Sequence, residues 1–316
     1  MSIQIHASAA VTPSADKYIM SDDLRNAVEV AIALQQPLLL TGEPGTGKTR
    51  LAFKVAADLA QQKGAFVFHD KPLIFNTKTT SAARDLFYTY DALAHFQAAN
   101  IQRSNAQAAA TADFIELQAL GKAIAATHPS GIDASRLPTD LGKEPHSSVV
   151  LIDEIDKAPR DFPNDILSEI EQYEFQIKEL DNYTIRKGDT QRVVVIMTSN
   201  SEKNLPDAFL RRCVFYHIPF PDKDQLLAIA KSQLGDATRY TDELLLQLID
   251  KFRDIRQQAV RKPPATAELV AWLRILEMRD IMHRKADEQQ SYLRDHLSVL
   301  VKTREDMEAV RGVFGI

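Results

Sequence analysis

The sequence predicts an α/β chain, with strands and helices alternating to build a parallel sheet, followed by a small all-helical region. Three observations lead there. Short apolar runs at 37–40, 149–152 and 193–197 end in small or polar residues. Where such runs are unbroken rather than alternating, they read as strands covered on both faces. From Pro221 onward no strand signal remains, and apolar residues recur at helical spacing.

A chain of 316 residues has room for a large domain and a smaller one. Its 45% hydrophobic residues suffice for a core, and its 26% charged residues are ordinary for a globular protein. The net charge of −5 argues against a general nucleic-acid binder. One cysteine, Cys213, excludes an intramolecular disulfide and a cysteine-based zinc cluster, and fits a reduced cytoplasm. The first residues lack the basic start and apolar core of a signal peptide. No apolar run is long enough to insert across a bilayer. His69, His128, His146 and His217 are not at metal-ligand spacing, which disfavours a zinc site.

Residues 1–16 read as a loose arm. Ser21 can cap a helix whose first turn holds Asp22 and Asp23 and whose apolar face is Leu24, Val28 and Ala31. The strand at 37–40 then runs into GEPGTGKT, where Gly42, Gly45, Gly47, Lys48 and Thr49 fit G-x-x-x-x-G-K-[ST]. Such a loop wraps a polyphosphate. Its glycines take positive φ and turn backbone N–H groups inward. A helix from about Lys48 brings free N–H donors and the positive end of its dipole. Lys48 can reach the outer phosphates and the Thr49 hydroxyl can ligate magnesium. Pro44 stiffens the loop. The whole nucleotide-binding stretch is taken as Gly42, Glu43, Pro44, Gly45, Thr46, Gly47, Lys48, Thr49 and Arg50.

Two strands are expected next, at 66–68 and 73–75, around a short turn. The stretch from 77 to 148 reads as mostly helical. Leu86, Tyr90, Leu93 and Phe96 fall at helical spacing, a stripe of the kind that belongs to a core. An alanine- and glutamine-rich stretch at 97–112 follows, and a loop rich in proline, glycine and serine precedes the next strand.

That strand, SVVLIDEID, ends on Asp153 and Glu154. Ligands of parallel sheets bind beyond the carboxyl ends of the strands, so Asp153 is placed to hold magnesium and Glu154 to activate water. Asp156 and Lys157 read as ordinary first-turn helix residues. EFQIKELDNYTIRKG predicts a β-hairpin with Asp181 and Asn182 in the turn. The next strand, at 193–197, ends in Thr198, Ser199 and Asn200, and the Asn200 amide can hydrogen-bond the attacking water or the outer phosphate. A short amphipathic helix, then Arg211 and Arg212, then a strand at 214–218 complete this part. Either arginine stands where it can neutralise charge in a neighbouring subunit's nucleotide.

In the helical part, Leu226, Leu227, Ala230 and Leu234 share one helix. Thr241 can cap a second, with Leu244, Leu248, Phe252 and Ile255 on one face. Thr266 can cap a third, carrying Leu269, Leu273 and Leu276, and Trp272 reads as packing within this bundle. Residues 284–316 are charged and helical at first, then apolar.

The motifs GEPGTGKT, LIDEID, VIMTSN and DAFLRRC, in that order, together resemble the AAA+ ATPases, specifically the MoxR-like branch, over about residues 15–280. The resemblance implies an α-β-α P-loop NTPase core with a mostly parallel five-stranded sheet and a helical lid; the chain is accordingly divided into a core at 1–220, a lid at 221–283 and, beyond the resemblance, a helical tail at 284–316. It also implies magnesium-dependent ATP hydrolysis by a ring, usually hexameric, that remodels a client protein, often with a von Willebrand factor A domain partner. By position Asn200 matches sensor 1, and Arg212 best matches the arginine finger, with Arg211 the near alternative. The family's second sensor arginine is missing. The matching position is near Ala267, and Arg261 and Arg274 are out of register. Segments between 98 and 148, and the hairpin, are candidates for the ring's pore or a client surface.

Overall fold

The structure, a computed structural model, describes residues 15–102, 110–201, 205–281 and 285–313. The chain divides into two compact units, Met20–Pro219 and Phe220–Ile316 with Met1–Ile19. Most of the expected arm lies outside the described residues; at its end Ala15–Lys17 forms one 3-10 turn.

The first unit opens with α1 (Asp22–Leu34). The Ser21 hydroxyl accepts the Leu24 amide at 3.3 Å, and the helix buries Leu24, Val28 and Ala31, the face expected. β1 (Leu38–Gly42), α2 (Lys48–Gln61) and β2 (Leu73–Asn76) follow. The stretch at 66–68 is not a strand. Phe68 makes only an isolated bridge to Ser147, and Val67 is 62% exposed, so this segment has no buried face to hold it in the sheet.

The expected helix through Leu86, Tyr90, Leu93 and Phe96 is broken into three pieces. A 3-10 turn (Ala83–Leu86) leads to β3 (Tyr88–Tyr90) and then α3 (Ala92–Gln102). Asp91 causes the break: its carboxylate accepts the Ala94 amide at 2.8 Å and starts a new helix there. Leu86 is a core residue and Tyr90 is half-buried, but Leu93 and Phe96 are 67% and 66% exposed, so the stripe is not one face. Residues 103–109 lie outside the described residues. The chain returns as β4 (Ile115–Leu117), antiparallel to β3, and α4 (Ala119–Ala126).

β5 (Ser148–Asp153) is followed by a 3-10 turn (Ile155–Lys157), α5 (Phe162–Asp165) and α6 (Leu167–Gln172). β6 (Glu174–Ile177) and β7 (Tyr183–Arg186) pair as the expected hairpin. Asp181 and Asn182 take φ of 54° and 55°, values these residues tolerate in turns. β8 (Val193–Thr198), α7 (Asp207–Leu210) and β9 (Val214–Ile218) close the unit. The main sheet has five strands in the order β2-β5-β8-β1-β9, every pairing parallel.

Alternation along these strands covers both faces. Leu39, Val150, Ile152, Val195 and Met197 join a core with α4, α5 and the hairpin. Leu38, Leu40, Val149, Leu151 and Ile196 are as deeply buried and point to the other face. α2 packs against β1, β5 and β8, and α1 against β1 and β9. This is the α-β-α arrangement the motifs implied.

The second unit is helical: α8 (Lys223–Leu234), α9 (Asp242–Gln258), α10 (Thr266–Met278), α11 (Ala286–Asp295), α12 (Leu297–Leu300) and α13 (Arg304–Val313). Thr241 caps α9 by accepting the Leu244 amide at 3.3 Å. Thr266 does not cap α10. Its side chain is buried and the cap is Ala265, whose amide is held by the Glu268 carboxylate at 3.1 Å. Leu226, Leu248, Phe252, Trp272 and Leu276 form one core with Leu293, Leu300 and Val310, so the last three helices pack with the first three.

α4 comes close to the turn before β3. The Gln118 amide donates to the Phe87 carbonyl at 2.8 Å, and a Cβ on Gly121 would lie 1.9 Å from that oxygen. Gly121→Ala must push the two backbones apart, at a cost of about 1–3 kcal/mol or more. The melting temperature should fall by about 5 °C or more in a thermal melt. An unchanged melting temperature would contradict this packing.

Candidate active site

The carboxyl ends of β1, β5 and β8 lie side by side, and the polar residues that follow them meet. After β1 the chain turns through Gly45 at φ 80° and Gly47 at φ 93°, a backbone that side-chain-bearing residues seldom adopt. The turn is tied by the Thr46 hydroxyl, which donates to the Glu43 carbonyl at 2.8 Å. Gly47 is the N-cap of α2 and no side chain caps the helix, so its first-turn amides are not claimed by a capping group. Glu43, Pro44 and Gly45 are exposed at the rim; Thr46 and Arg50 are half-buried.

Lys48 begins α2 and is 7% exposed. Its ammonium donates to the carbonyls of Gly42 at 2.7 Å and Glu43 at 2.9 Å and to Asn200 Oδ1 at 3.0 Å. Three donors thus meet three oxygens. Burial pulls the Lys48 pKa below the ordinary lysine value, against the opposing charges of Asp156, Asp153, Glu154 and Glu43. The bond to Lys48 also fixes Asn200, because an ammonium can only donate. The Asn200 Nδ2 therefore keeps two protons to give.

Next to Lys48, the Thr49 hydroxyl donates to Asp153 Oδ1 at 2.9 Å. With its proton on Asp153, that hydroxyl keeps its lone pairs for a cation. A hydroxyl and a carboxylate side by side are the hard oxygen donors that Mg2+ prefers. The residues therefore fit the metal that this loop type uses.

Glu154 sits in the left-handed region, φ 56° and ψ 52°, at a cost of about 1–2 kcal/mol for an L residue. Its amide is held by the Thr198 hydroxyl at 2.8 Å, and its carboxylate is ion-paired with Lys157. That contact holds Lys157 above the usual lysine range. Asp156 accepts the Asn200 amide at 3.3 Å. Asp156 and Lys157 do lie in a single helical turn, as expected, and each has a contact besides: one anchors the end of β8 and the other engages Glu154. Thr198 and these two are the site residues that sequence reasoning missed. The available signal was three polar residues in a row after a buried strand.

The two arginines stand at the end of α7, away from this cluster's hydrogen bonds. Arg212 Nε donates to Glu171 at 2.6 Å and its guanidinium to the Ala208 carbonyl at 3.1 Å; both arginines are exposed. In the helical unit Ala267 is exposed at the position where the resemblance calls for an arginine. Arg261 pairs with Glu305 at 2.6 Å and Arg274 donates to the Gln233 carbonyl at 3.0 Å. Two histidines distant in sequence, His69 and His146, meet edge to face with ring centroids 4.0 Å apart. Among the described residues no group of three or more His, Cys, Asp or Glu side chains is placed to hold a metal. No helix among them is long and apolar enough to cross a membrane.

No curated protein sequence matches the chain. Among solved structures, one from work on the structural basis of katanin self-assembly aligns at 18% identity over 93% of this chain and 82% of that one, with a TM-score of 0.42. Domain III of the Thermotoga maritima replication initiation protein DnaA aligns at 11% identity over 92% of this chain and 97% of that one, with a TM-score of 0.45. A family model described as AAA domain (dynein-related subfamily) matches residues 37–213, more than half of the chain. The matched region runs from β1 through Lys48, Thr49, Asp153, Glu154 and Asn200 to the arginine pair, and on that match the chain belongs to the AAA domain family, dynein-related subfamily.

Proposed function

We propose that this protein is a MoxR-like AAA+ ATPase that hydrolyses ATP to ADP and phosphate with Mg2+, works as a ring, and uses the cycle to remodel a client protein. The observation that carries this reading is the direct linkage of Lys48 to Asn200 and of Thr49 to Asp153 across three adjacent strand ends. A merely structural strand edge has no need of a buried ammonium beside a hydroxyl–carboxylate pair.

In this reading the loop amides and the start of α2 hold the phosphates. Lys48 exchanges one or more of its carbonyl partners for phosphate oxygens. Thr49 and Asp153 hold Mg2+, which when bound neutralises charge on the phosphate oxygens. Glu154, released from Lys157, takes a proton from the attacking water. Asn200 donates its Nδ2 protons to that water or to the terminal phosphate. Arg212, freed from Glu171, or Arg211 beside it, completes the site of a neighbouring copy, which makes turnover depend on assembly. We take a hexamer as the assembly, a von Willebrand factor A domain protein as the partner class, the cytoplasm as the location and residues 221–283 as the moving lid.

A nucleotide-gated scaffold with slow turnover is the second reading. The ion pair between Glu154 and Lys157 favours it, because a base engaged by a cation is a poor base.

Three variants test the assignment, one of them in a mixing experiment. Glu154→Gln should bind ATP as well as the wild type and lower kcat about 100-fold or more, measured by phosphate release. Undiminished turnover would remove Glu154 from its role, and slow turnover by the wild type itself would favour the scaffold. Arg212→Ala should bind ATP yet turn over about 10³-fold more slowly. Mixing it with Asp153→Ala subunits should restore part of the rate, since each supplies what the other lacks at shared interfaces. Normal turnover by Arg212→Ala alone would exclude that arginine and point to Arg211.

A further inference from the structure

The three polar residues that end β8 and follow it serve different ends. Asn200 faces the phosphate loop through Lys48. Ser199 closes its own turn, donating to the Ser201 carbonyl at 2.6 Å and accepting the Ser201 amide at 3.1 Å. Thr198 reaches across to β5. Its hydroxyl donates to Asp153 Oδ1 at 2.6 Å and accepts the Glu154 amide at 2.8 Å. The residue is 1% exposed, on a strand buried along its length. The Thr198 end of both hydrogen bonds is therefore shielded from water, which strengthens them.

A hydroxyl has one proton, and Thr198 gives it to the carboxylate. That fixes the orientation of Asp153, whose Oδ1 already takes the Thr49 proton. A lone pair of the Thr198 hydroxyl oxygen takes the N–H of Glu154, the residue that bends into the left-handed region. The register makes this possible: Ile152 and Met197 are paired, so Asp153 and Thr198 come next, side by side. One buried oxygen thus sets both the carboxylate that would face the metal and the backbone turn that aims the Glu154 side chain.

We infer that Thr198 is the positioning residue of this site, acting on nucleotide through Asp153 and Glu154 and touching none of the reacting atoms itself. The inference rests on the hydrolysis reading above. It adds that the magnesium-linked part of nucleotide binding depends on the Thr198 hydroxyl.

The test compares the full-length wild type with Thr198→Val, which keeps the shape and removes the hydroxyl, and Thr198→Ser, which keeps the hydroxyl. A fluorescent ATP analogue is titrated with and without magnesium, and phosphate release is measured in parallel. Thr198→Val should bind the analogue without magnesium within about 2-fold of wild type, because the loop amides and Lys48 are intact. Its magnesium midpoint should rise about 10-fold or more, and kcat should fall about 10- to 100-fold with KM within about 3-fold, the scale of lost outer-shell support at metal sites. Thr198→Ser should recover most of both losses. If Thr198→Val melts as the wild type does yet keeps its magnesium midpoint and kcat, the inference is overturned. It is also overturned if Thr198→Ser is as impaired as Thr198→Val, since packing of the methyl group would then be what matters. Should Thr198→Val fail to fold, Thr198→Ala carries the same measurements. A wild type that binds the analogue with magnesium but never turns over would remove the hydrolysis reading alone. The midpoint comparison would still decide this inference.

Discussion

A positive charge held inside the protein is the constraint from which the rest follows. Lys48 is 7% exposed, and its ammonium must be surrounded by oxygen or lose its proton. Two of its partners are carbonyls of its own loop, which forces that loop to curl back over the side chain. The third is Asn200, at the end of another strand. Acidic groups from the β5 end supply the compensating field. The ammonium is thus poised to trade chain oxygens for oxygens of higher charge, and this is what makes the loop a receptor for phosphate.

Such a cluster needs a sheet of a particular order. Parallel strands bring their carboxyl ends to one edge, and here β1 and β5 flank β8. Lys48 and Thr49 therefore stand on one side, Asp153 and Glu154 on the other, and Thr198 and Asn200 between them. Apolar strands packed on both faces keep this alignment stiff. Asp153 is reached by hydroxyls from both sides, Thr49 and Thr198, and Asp156 adds a further link to the Asn200 amide. These hydrogen bonds join three loops that share no sequence proximity.

What could be read from the residues alone was whatever is local. The glycine loop, Lys48 and Thr49 are neighbours in sequence, so their geometry follows from one turn and one helix start. The acidic pair and Asn200 were legible because each ends an unbroken apolar run. Thr198 and Asp156 were not, since their contacts depend on which residue of a polar triplet faces the adjoining strand, and that is a matter of register; Lys157 reaches Glu154 three residues back, a local spacing that its reading as an ordinary first-turn residue did not use. The same limit explains the broken stripe at 86–96: helical spacing persisted by coincidence across a strand and a helix joined at Asp91. At α10 a shift of one residue moved the cap from Thr266 to Ala265, because Glu268 reaches back to the Ala265 amide.

Calorimetry on the full chain with a non-hydrolysable ATP analogue and magnesium tests the central claim most directly. The account predicts saturable heat with one nucleotide per chain for the wild type. It predicts binding about 10- to 100-fold weaker for Lys48→Ala, the loss of a charge-assisted hydrogen bond worth about 1.5–3 kcal/mol. No heat from the wild type, or equal affinity in the two proteins, would contradict it.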